Sequence, residues 1–201
     1  MKISVITLTF NAAHTVERTL SSVASQRLAD DEGDYCAAQS LGRKYEVEHW
    51  VVDGASHDDT MSKVSRFGHV RHLSEPDNGL YHAMNKGLQL ATGDYIVFLN
   101  AGDVLHDDYS LQHVFSVATC RSAVVYGQTQ WVDNQGLFLD MRNHWAPEHL
   151  SSASFSRGMM VCHQSFYVRT DIAKAEPYDN AYRYSADYDW CIRCMQRAEQ
   201  M

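Results

Sequence analysis

No run of about 18 consecutive apolar residues occurs in the 201-residue chain, so no transmembrane helix is expected. The opening residues, Met1-Lys2-Ile3-Ser4-Val5-Ile6, reach polar Asn11 too soon for the apolar core of a signal peptide. They are expected to form a strand, and the expected location is the cytoplasm. Cations are scarce as well: 17 Lys and Arg stand against 25 Asp and Glu, a net charge of −8. That balance argues against nucleic acid as a partner, which needs clustered cations against phosphate. The five cysteines (Cys36, Cys120, Cys162, Cys191 and Cys194) are odd in number and irregularly spaced, unlike a secreted disulfide framework. Free thiols in a reducing compartment fit better. There is no GxGxxG after the first apolar run and no GxxxxGK[ST] anywhere, which disfavours dinucleotide-binding dehydrogenases and P-loop kinases. With no internal repeat and no low-complexity linker, residues 1–201 read as a single domain. The 45% hydrophobic and 21% charged residues are ordinary for a globular chain that can bury its own core.

The periodicities alternate between strand and helix. Residues 3–10 (ISVITLTF) are β-branched and almost continuously apolar, as in a strand buried on both faces. Val16, Leu20, Val23 and Ala24 then fall on one helical face. Residues 28–43 are polar and acidic and are expected to be a surface loop, with 29–34 a solvated face. Residues 47–53 (VEHWVVD) form a second strand, and Ser56 or Asp58 is placed to cap a short helix reaching Phe67. A third strand covers 70–74. Leu80, Ala83, Met84, Gly87, Leu88 and Ala91 make the cleanest helical stripe in the chain, with Gly93 the expected C-terminal stop. Residues 95–99 (YIVFL) read as a central strand. Beyond it, helices are expected over 108–120 and 184–198, and strands over 123–126 and 161–169. A hairpin is expected over 129–132 and 137–141 around Asp133-Asn134-Gln135-Gly136. The order implies an α/β fold: a mostly parallel, Rossmann-like sheet flanked by helices, with an antiparallel extension.

In open α/β sheets ligands bind beyond the carboxyl ends of the strands. Four segments are thereby placed together: Thr9-Phe10-Asn11, Asp53-Gly54-Ala55-Ser56, residues 74–79, and Asn100-Ala101-Gly102-Asp103. Three of them carry an Asp beside a small residue. Such an acidic shelf repels phosphate unless a divalent cation intervenes, and Mg²⁺ or Mn²⁺ takes one or two carboxylates together with substrate phosphate oxygens. Asp103, just after a central strand, is the natural ligand; the plainer alternative is a turn residue or helix cap.

The segments ISVITLTFN (3–11), VVDGASHDDT (51–60), SEPDNGLYHAMNKGLQLATGDYIVFLNAGD (74–103), HQSFYVR (163–169) and SADYDWCIR (185–193) resemble the family 2 inverting glycosyltransferases of the GT-A fold. The likeness is greatest to the bacterial branch that builds capsule, exopolysaccharide or O-antigen. The resemblance implies the nucleotide-diphospho-sugar transferase fold. It implies a nucleotide-sugar donor, first a UDP-sugar, with Mn²⁺ or Mg²⁺ as cofactor. It implies a glycan or lipid-linked glycan acceptor at the inner face of the plasma membrane. Thr9 and Asn11 would line the nucleoside pocket. Asp53 would contact base or ribose, Asp77 and Lys86 would border the sugar-nucleotide, and Asp103 would hold the metal. Asp187 would be the catalytic base, with His163 and Gln164 near the acceptor or diphosphate.

The chain departs from the family pattern in three ways. Asn100 and Gly102 stand where the metal motif carries an acid and its neighbour, leaving Asp103 as the charged ligand; Asn100 can still hydrogen-bond ribose or metal-bound water. Ala186 replaces the usual Glu before the base. The chain also ends at Met201, short of the acceptor-side elements that relatives carry. Two alternatives follow: a non-catalytic sugar-nucleotide-binding domain, or a sugar nucleotidyltransferase.

Other motifs have plainer explanations. Asp189 and Arg193 are spaced i, i+4, as in a helical surface pair. Cys191 and Cys194 form a CxxC with no second pair for zinc. Cys162 and His163, adjacent on an expected strand, would point to opposite faces. Met84, Met159 and Met160 are expected to pack, and so are Trp131 and Trp145, the alternative for the tryptophans being a stack on an acceptor sugar.

Overall fold

The computed structural model describes residues 1–29, 35–37, 45–118 and 122–201. The first half alternates as expected: β1 (Lys2–Thr9), α1 (Val16–Ala24), β2 (Arg27–Ala29), β3 (Tyr35–Ala37), β4 (Glu46–Asp53), α2 (Thr60–Val64), β5 (Val70–Ser74), α3 (Leu80–Leu90) and β6 (Tyr95–Phe98). The second half adds α4 (Ser110–Val117), β7 (Val124–Tyr126), β8 (Gln130–Val132), β9 (Phe138–Met141), β10 (Phe166–Arg169), α5 (Thr170–Ala175) and α6 (Ala186–Glu199).

Six strands form the main sheet in the order β5-β4-β1-β6-β10-β7. β5, β4, β1 and β6 are parallel, whereas β10 runs antiparallel to both β6 and β7. The chain winds outward from β1 to β5, then crosses back to place β6 on the other side of β1. This reversal is the topological switch point at which open α/β sheets open a crevice. Because β10 is antiparallel, its entrance, not its exit, lies at the carboxyl ends of β1 and β6.

Both faces of the sheet are covered, which explains the near-continuous apolar runs. Ile6 and Leu8 of β1, with Ile96 and Phe98 of β6, pack under α3, α5 and α6 against Met84, Leu88, Ile172 and Trp190. The alternate residues Ile3, Val5, Val97 and Leu99 face Val23, Leu111 and Phe115 of α1 and α4. The period of two in the strands meets the period of 3.6 in the helices.

Several expectations need correction. The stretch 28–43 contains the antiparallel pair β2–β3, so it is not simply a loop; residues 30–34 of the acidic segment lie outside the described residues. The helix expected over 108–120 is confined to Ser110–Val117, with Cys120 outside the described residues. The strand expected from 161 begins only at Phe166, because His163–Ser165 form a 3-10 turn. Leu80 is 46% exposed at the first position of α3, where the stripe has not yet met the sheet. Gly93 is not the helix stop, since α3 ends through extended Ala91. Its lack of a side chain serves contact: a Cβ there would stand 2.8 Å from Lys2 O and Ser4 N. Trp131 and Trp145 are 59% and 61% exposed, not packed.

Candidate active site

The last residues of three strands form the floor. Thr9, Asp53 and Ser74 lie side by side in register. Asp53 is buried and turned inward. Its Oδ1 accepts from Thr9 Oγ1 (2.8 Å) and Ser56 Oγ (2.5 Å), and its Oδ2 from Ser56 N (2.9 Å) and Ser74 Oγ (2.7 Å). Burial alone would raise its pKa, but these bonds outweigh burial and hold it below the usual value. Ser56 Oγ in turn accepts from Asn11 N at 2.8 Å, and Asn11 Oδ1 accepts from His57 N at 2.9 Å. Asn11 takes a positive φ of 50° at this bend, a conformation Asn tolerates better than most residues.

Residues 75–79 form one wall. Lys86 Nζ reaches back from α3 to Pro76 O (2.9 Å) and Glu75 Oε1 (3.0 Å), clamping the turn. Asp77 Oδ1 accepts from Gly79 N at 2.8 Å. Its Oδ2 lies 2.8 Å from where a Cβ on Gly54 would stand, so Asp77 overhangs the exit of β4. Phe10 lies beside them and is exposed.

The 100–103 loop follows β6 and is held from below by α1. Thr19 Oγ1 donates to Asp103 O (2.7 Å) and accepts from Gly102 N (2.8 Å). The Arg18 guanidinium donates to Gly102 O. Gly102 has φ 111°, a region where a Cβ is strained. Sequence reasoning did not identify Thr19 or Arg18, whose positions on α1 resemble any polar helix face. The half-buried Asp103 accepts at Oδ2 from Gln164 Nε2 (3.0 Å).

Asp187 projects from the first turn of α6, whose N-cap, Ser185, is left-handed at φ 63°. Its Oδ2 lies 3.3 Å from His163 Nδ1, and its Oδ1 accepts from Tyr81 Oη at 3.4 Å. Burial pushes its pKa up, but the hydrogen bond from His163 and backbone N–H bonds at residues 187 and 188 act against burial, and it lies below the ordinary value. The carboxyl is therefore ionised at neutral pH. The other His163 nitrogen, Nε2, lies 3.3 Å from Asn100 Nδ2, while buried Asn100 Oδ1 has no hydrogen-bond partner. The adjacent residues His163 and Gln164 thus join the base candidate to the 100–103 loop. Tyr81 was missed by sequence reasoning, lying in a helix that read as packing.

Among the described residues no group of three or more His, Cys, Asp or Glu could hold a metal by protein ligands alone. A single carboxylate at a strand exit does fit Mg²⁺ or Mn²⁺, which take one or two protein carboxylates and complete the shell with phosphate oxygens and water. Asp189 is paired with Arg193, Nε to Oδ2 at 2.8 Å, as its spacing implied. Cys191 and Cys194 are free and buried, and burial pushes both thiols well up, which fits packing rather than reactivity. No helix among the described residues is long and apolar enough to cross a membrane.

The model of the family described as Glycosyl transferase family 2 matches residues 4–175. The PGL/p-HBAD biosynthesis glycosyltransferase of Mycobacterium tuberculosis is 31% identical over 202 residues, covering 95% of this chain and 68% of that relative. The crystal structure of S. aureus TarS 1-349 in complex with UDP-GlcNAc matches with a TM-score of 0.73 at 22% identity, covering 97% of this chain and 53% of that one. Glucosyl-3-phosphoglycerate synthase from Mycobacterium tuberculosis, solved with Mn²⁺, UDP and glucosyl-3-phosphoglycerate, matches with a TM-score of 0.59 at 18% identity, covering 98% of this chain and 66% of that one. The chain therefore spans about two-thirds of the curated relative and about half of the crystallised TarS chain.

Proposed function

Because this chain belongs to glycosyl transferase family 2 and has the GT-A fold, we propose that it transfers a sugar, with inversion, from a UDP-sugar to a hydroxyl of a glycan or lipid-linked glycan. The setting is cell-surface polysaccharide synthesis at the inner face of the membrane. The observation that carries this reading is the shared turn: His163 contacts Asp187 and Gln164 contacts Asp103, so a carboxylate and the loop expected to face the diphosphate lie on one crevice. Asp187 takes the acceptor's proton as its oxygen attacks the anomeric carbon and the bond to the diphosphate breaks. Such general-base help contributes typically about 10²–10⁴-fold. Asp103 would hold the divalent cation, which when bound stabilises charge on the leaving diphosphate.

Asp53 holds Thr9, Ser56 and Ser74 in place, setting the nucleoside floor from beneath. Thr9 and Asn11 border it, and Lys86 presents Asp77 at its rim. Asn100 Oδ1 accepts a hydrogen bond from donor ribose or from water. The remaining work is positioning of two substrates.

Thermal stability with UDP, GDP, CDP and dTDP, each with and without Mn²⁺, tests the donor site. A ligand at about 100 times its Kd stabilises by about 2.7 kcal/mol, a Tm rise of roughly 5–10 °C at this length. A rise with UDP that needs Mn²⁺ and disappears in Asp103→Ala is expected. No rise with any nucleotide overturns the proposal. One observation favours a second reading, a non-catalytic nucleotide-binding domain: Asn100 and Gly102 leave one carboxylate in the loop. That reading predicts the same rise without turnover of any UDP-sugar.

A further inference from the structure

His163 is 8% exposed, and among the described residues each of its ring nitrogens has one hydrogen-bond neighbour. Nδ1 faces the Asp187 carboxylate at 3.3 Å, and Nε2 faces the Asn100 amide nitrogen at 3.3 Å. An ionised carboxylate can only accept, so Nδ1 must carry a proton. The Asn100 amide N–H can only donate, so Nε2 must be bare. The two neighbours together select one neutral tautomer out of three protonation states. In this arrangement Asn100 Oδ1 is left without a protein partner and is free to accept from bound donor or water.

We infer that His163 is a positioning residue for Asp187, locked by Asn100 in the Nδ1–H form so that its one N–H orients the carboxylate. The inference deepens the proposed function and rests on Asp187 being the base. It also gives the Asn at position 100 a role that an Asp could not fill, since a carboxylate there would need a proton on Nε2. Oδ1 of Asp187 stays directed away from His163, with Tyr81 Oη a long 3.4 Å from it, and is the oxygen available to an acceptor hydroxyl. Because Asn100 and Gln164 tie the same turn to the 100–103 loop, the base is set relative to the donor loop rather than to its own helix alone.

Two measurements test this on the whole chain. In protein labelled with ¹⁵N-histidine, the His163 signals are assigned by their absence in His163→Asn. Near neutral pH the wild-type ring is expected as the Nδ1–H tautomer. A predominant Nε2–H tautomer, or a ring protonated at both nitrogens, overturns the inference whatever the activity shows. The second measurement is UDP release from UDP-glucose and UDP-GlcNAc. His163→Gln places its amide near the Nε2 position and is expected to lose roughly 100-fold in kcat, with donor KM changed by less than about twofold. His163→Asn places an N–H near the Nδ1 position and is expected to recover most of that loss. Equal losses in the two variants, or a better Gln variant, overturn the positioning role, since the larger amide fills the volume better. Asp187→Asn separates the two claims: if it retains wild-type turnover, the base assignment has failed rather than the tautomer.

Discussion

Strand β4 carries a buried carboxylate near each end, and the two ends of the sheet treat their polar groups differently. At the amino end, Glu48 is satisfied on every side. Its oxygens accept from Ser4 Oγ, Thr92 N and Thr92 Oγ1, and Lys2 Nζ lies 2.9 Å away, with Arg71 at 3.8 Å. Burial would raise its pKa, yet the hydrogen bonds from Ser4, Thr92 and Lys2 hold it down to about 2. At the carboxyl end Asp53 is similarly saturated, but the groups above it are not. Asp103 has one oxygen engaged, Asp187 is a quarter exposed, and Asn100 Oδ1 has no partner. A polar cluster that exhausts its hydrogen bonds fastens strands together, whereas one that leaves acceptors unspent has something to offer a ligand.

Four substitutions or titrations would sharpen or break this contrast. The largest effect is expected from Asp187→Asn: kcat falls by about 10²–10⁴-fold while the melting temperature stays near wild type. A loss of fold without a specific loss of rate would place Asp187 with Glu48. The converse is Glu48→Ala, which leaves Lys2 and the hydroxyls without their acceptor. Breaking a buried pair costs about 3 kcal/mol or more, a Tm drop of roughly 6–12 °C, with kcat of the folded enzyme unchanged.

Acid acts next. His49 is buried between Thr7 and His69, and burial, helped by the His69 charge, holds its pKa down to about 3 from 6.5. Below pH 6.5 the unfolded chain takes a proton that the folded ring refuses. Its contribution is therefore full above about pH 6.5 and is lost progressively as pH falls toward 3, at about 1.4 kcal/mol per pH unit. Glu48, also lowered, adds in the same direction below its ordinary 4.5. Urea unfolding at pH 7, 6 and 5 should show the slope, and His49→Asn should flatten it; equal stability at all three would refute the buried neutral ring. The smallest effect is expected from Trp131→Ala, within about 0.5 kcal/mol, because that ring is solvated. A Tm loss of several degrees would mean it packs after all.

The parallel half of the fold was legible because a strand buried on both faces leaves an unbroken apolar run, as in residues 3–10 and 95–99, and because α3 repeats its stripe for three turns. The shelf loops followed from topology alone. The site's fine structure was not legible, since it depends on where side chains turn. Asp53 and Asp103 look equivalent as residues ending apolar runs, yet three hydroxyls draw Asp53 inward. His163 read as part of a strand because residues 161–169 alternate loosely, and only the 3-10 turn brings it beside Asp187. Trp131 and Trp145 carried the prior that large aromatics are buried, which the small β8–β9 hairpin cannot honour with so little behind it. Glu48 went unnoticed because its partners lie some 44 residues away in the chain on either side.

The late place of β10 and α6 in the chain has a consequence in time. Strands β1, β4, β5 and β6 are complete once the ribosome has passed residue 98, whereas His163 and Asp187 arrive later. At ordinary synthesis rates the emerging chain carries the 100–103 loop for roughly ten seconds before Asp187 is added. Until then the loop lacks the contacts that Gln164 and His163 make with Asp103 and Asn100. The second half of the core, with Phe166, Val168, Ile172 and Trp190, emerges over the same interval, so the crevice and the core are finished together.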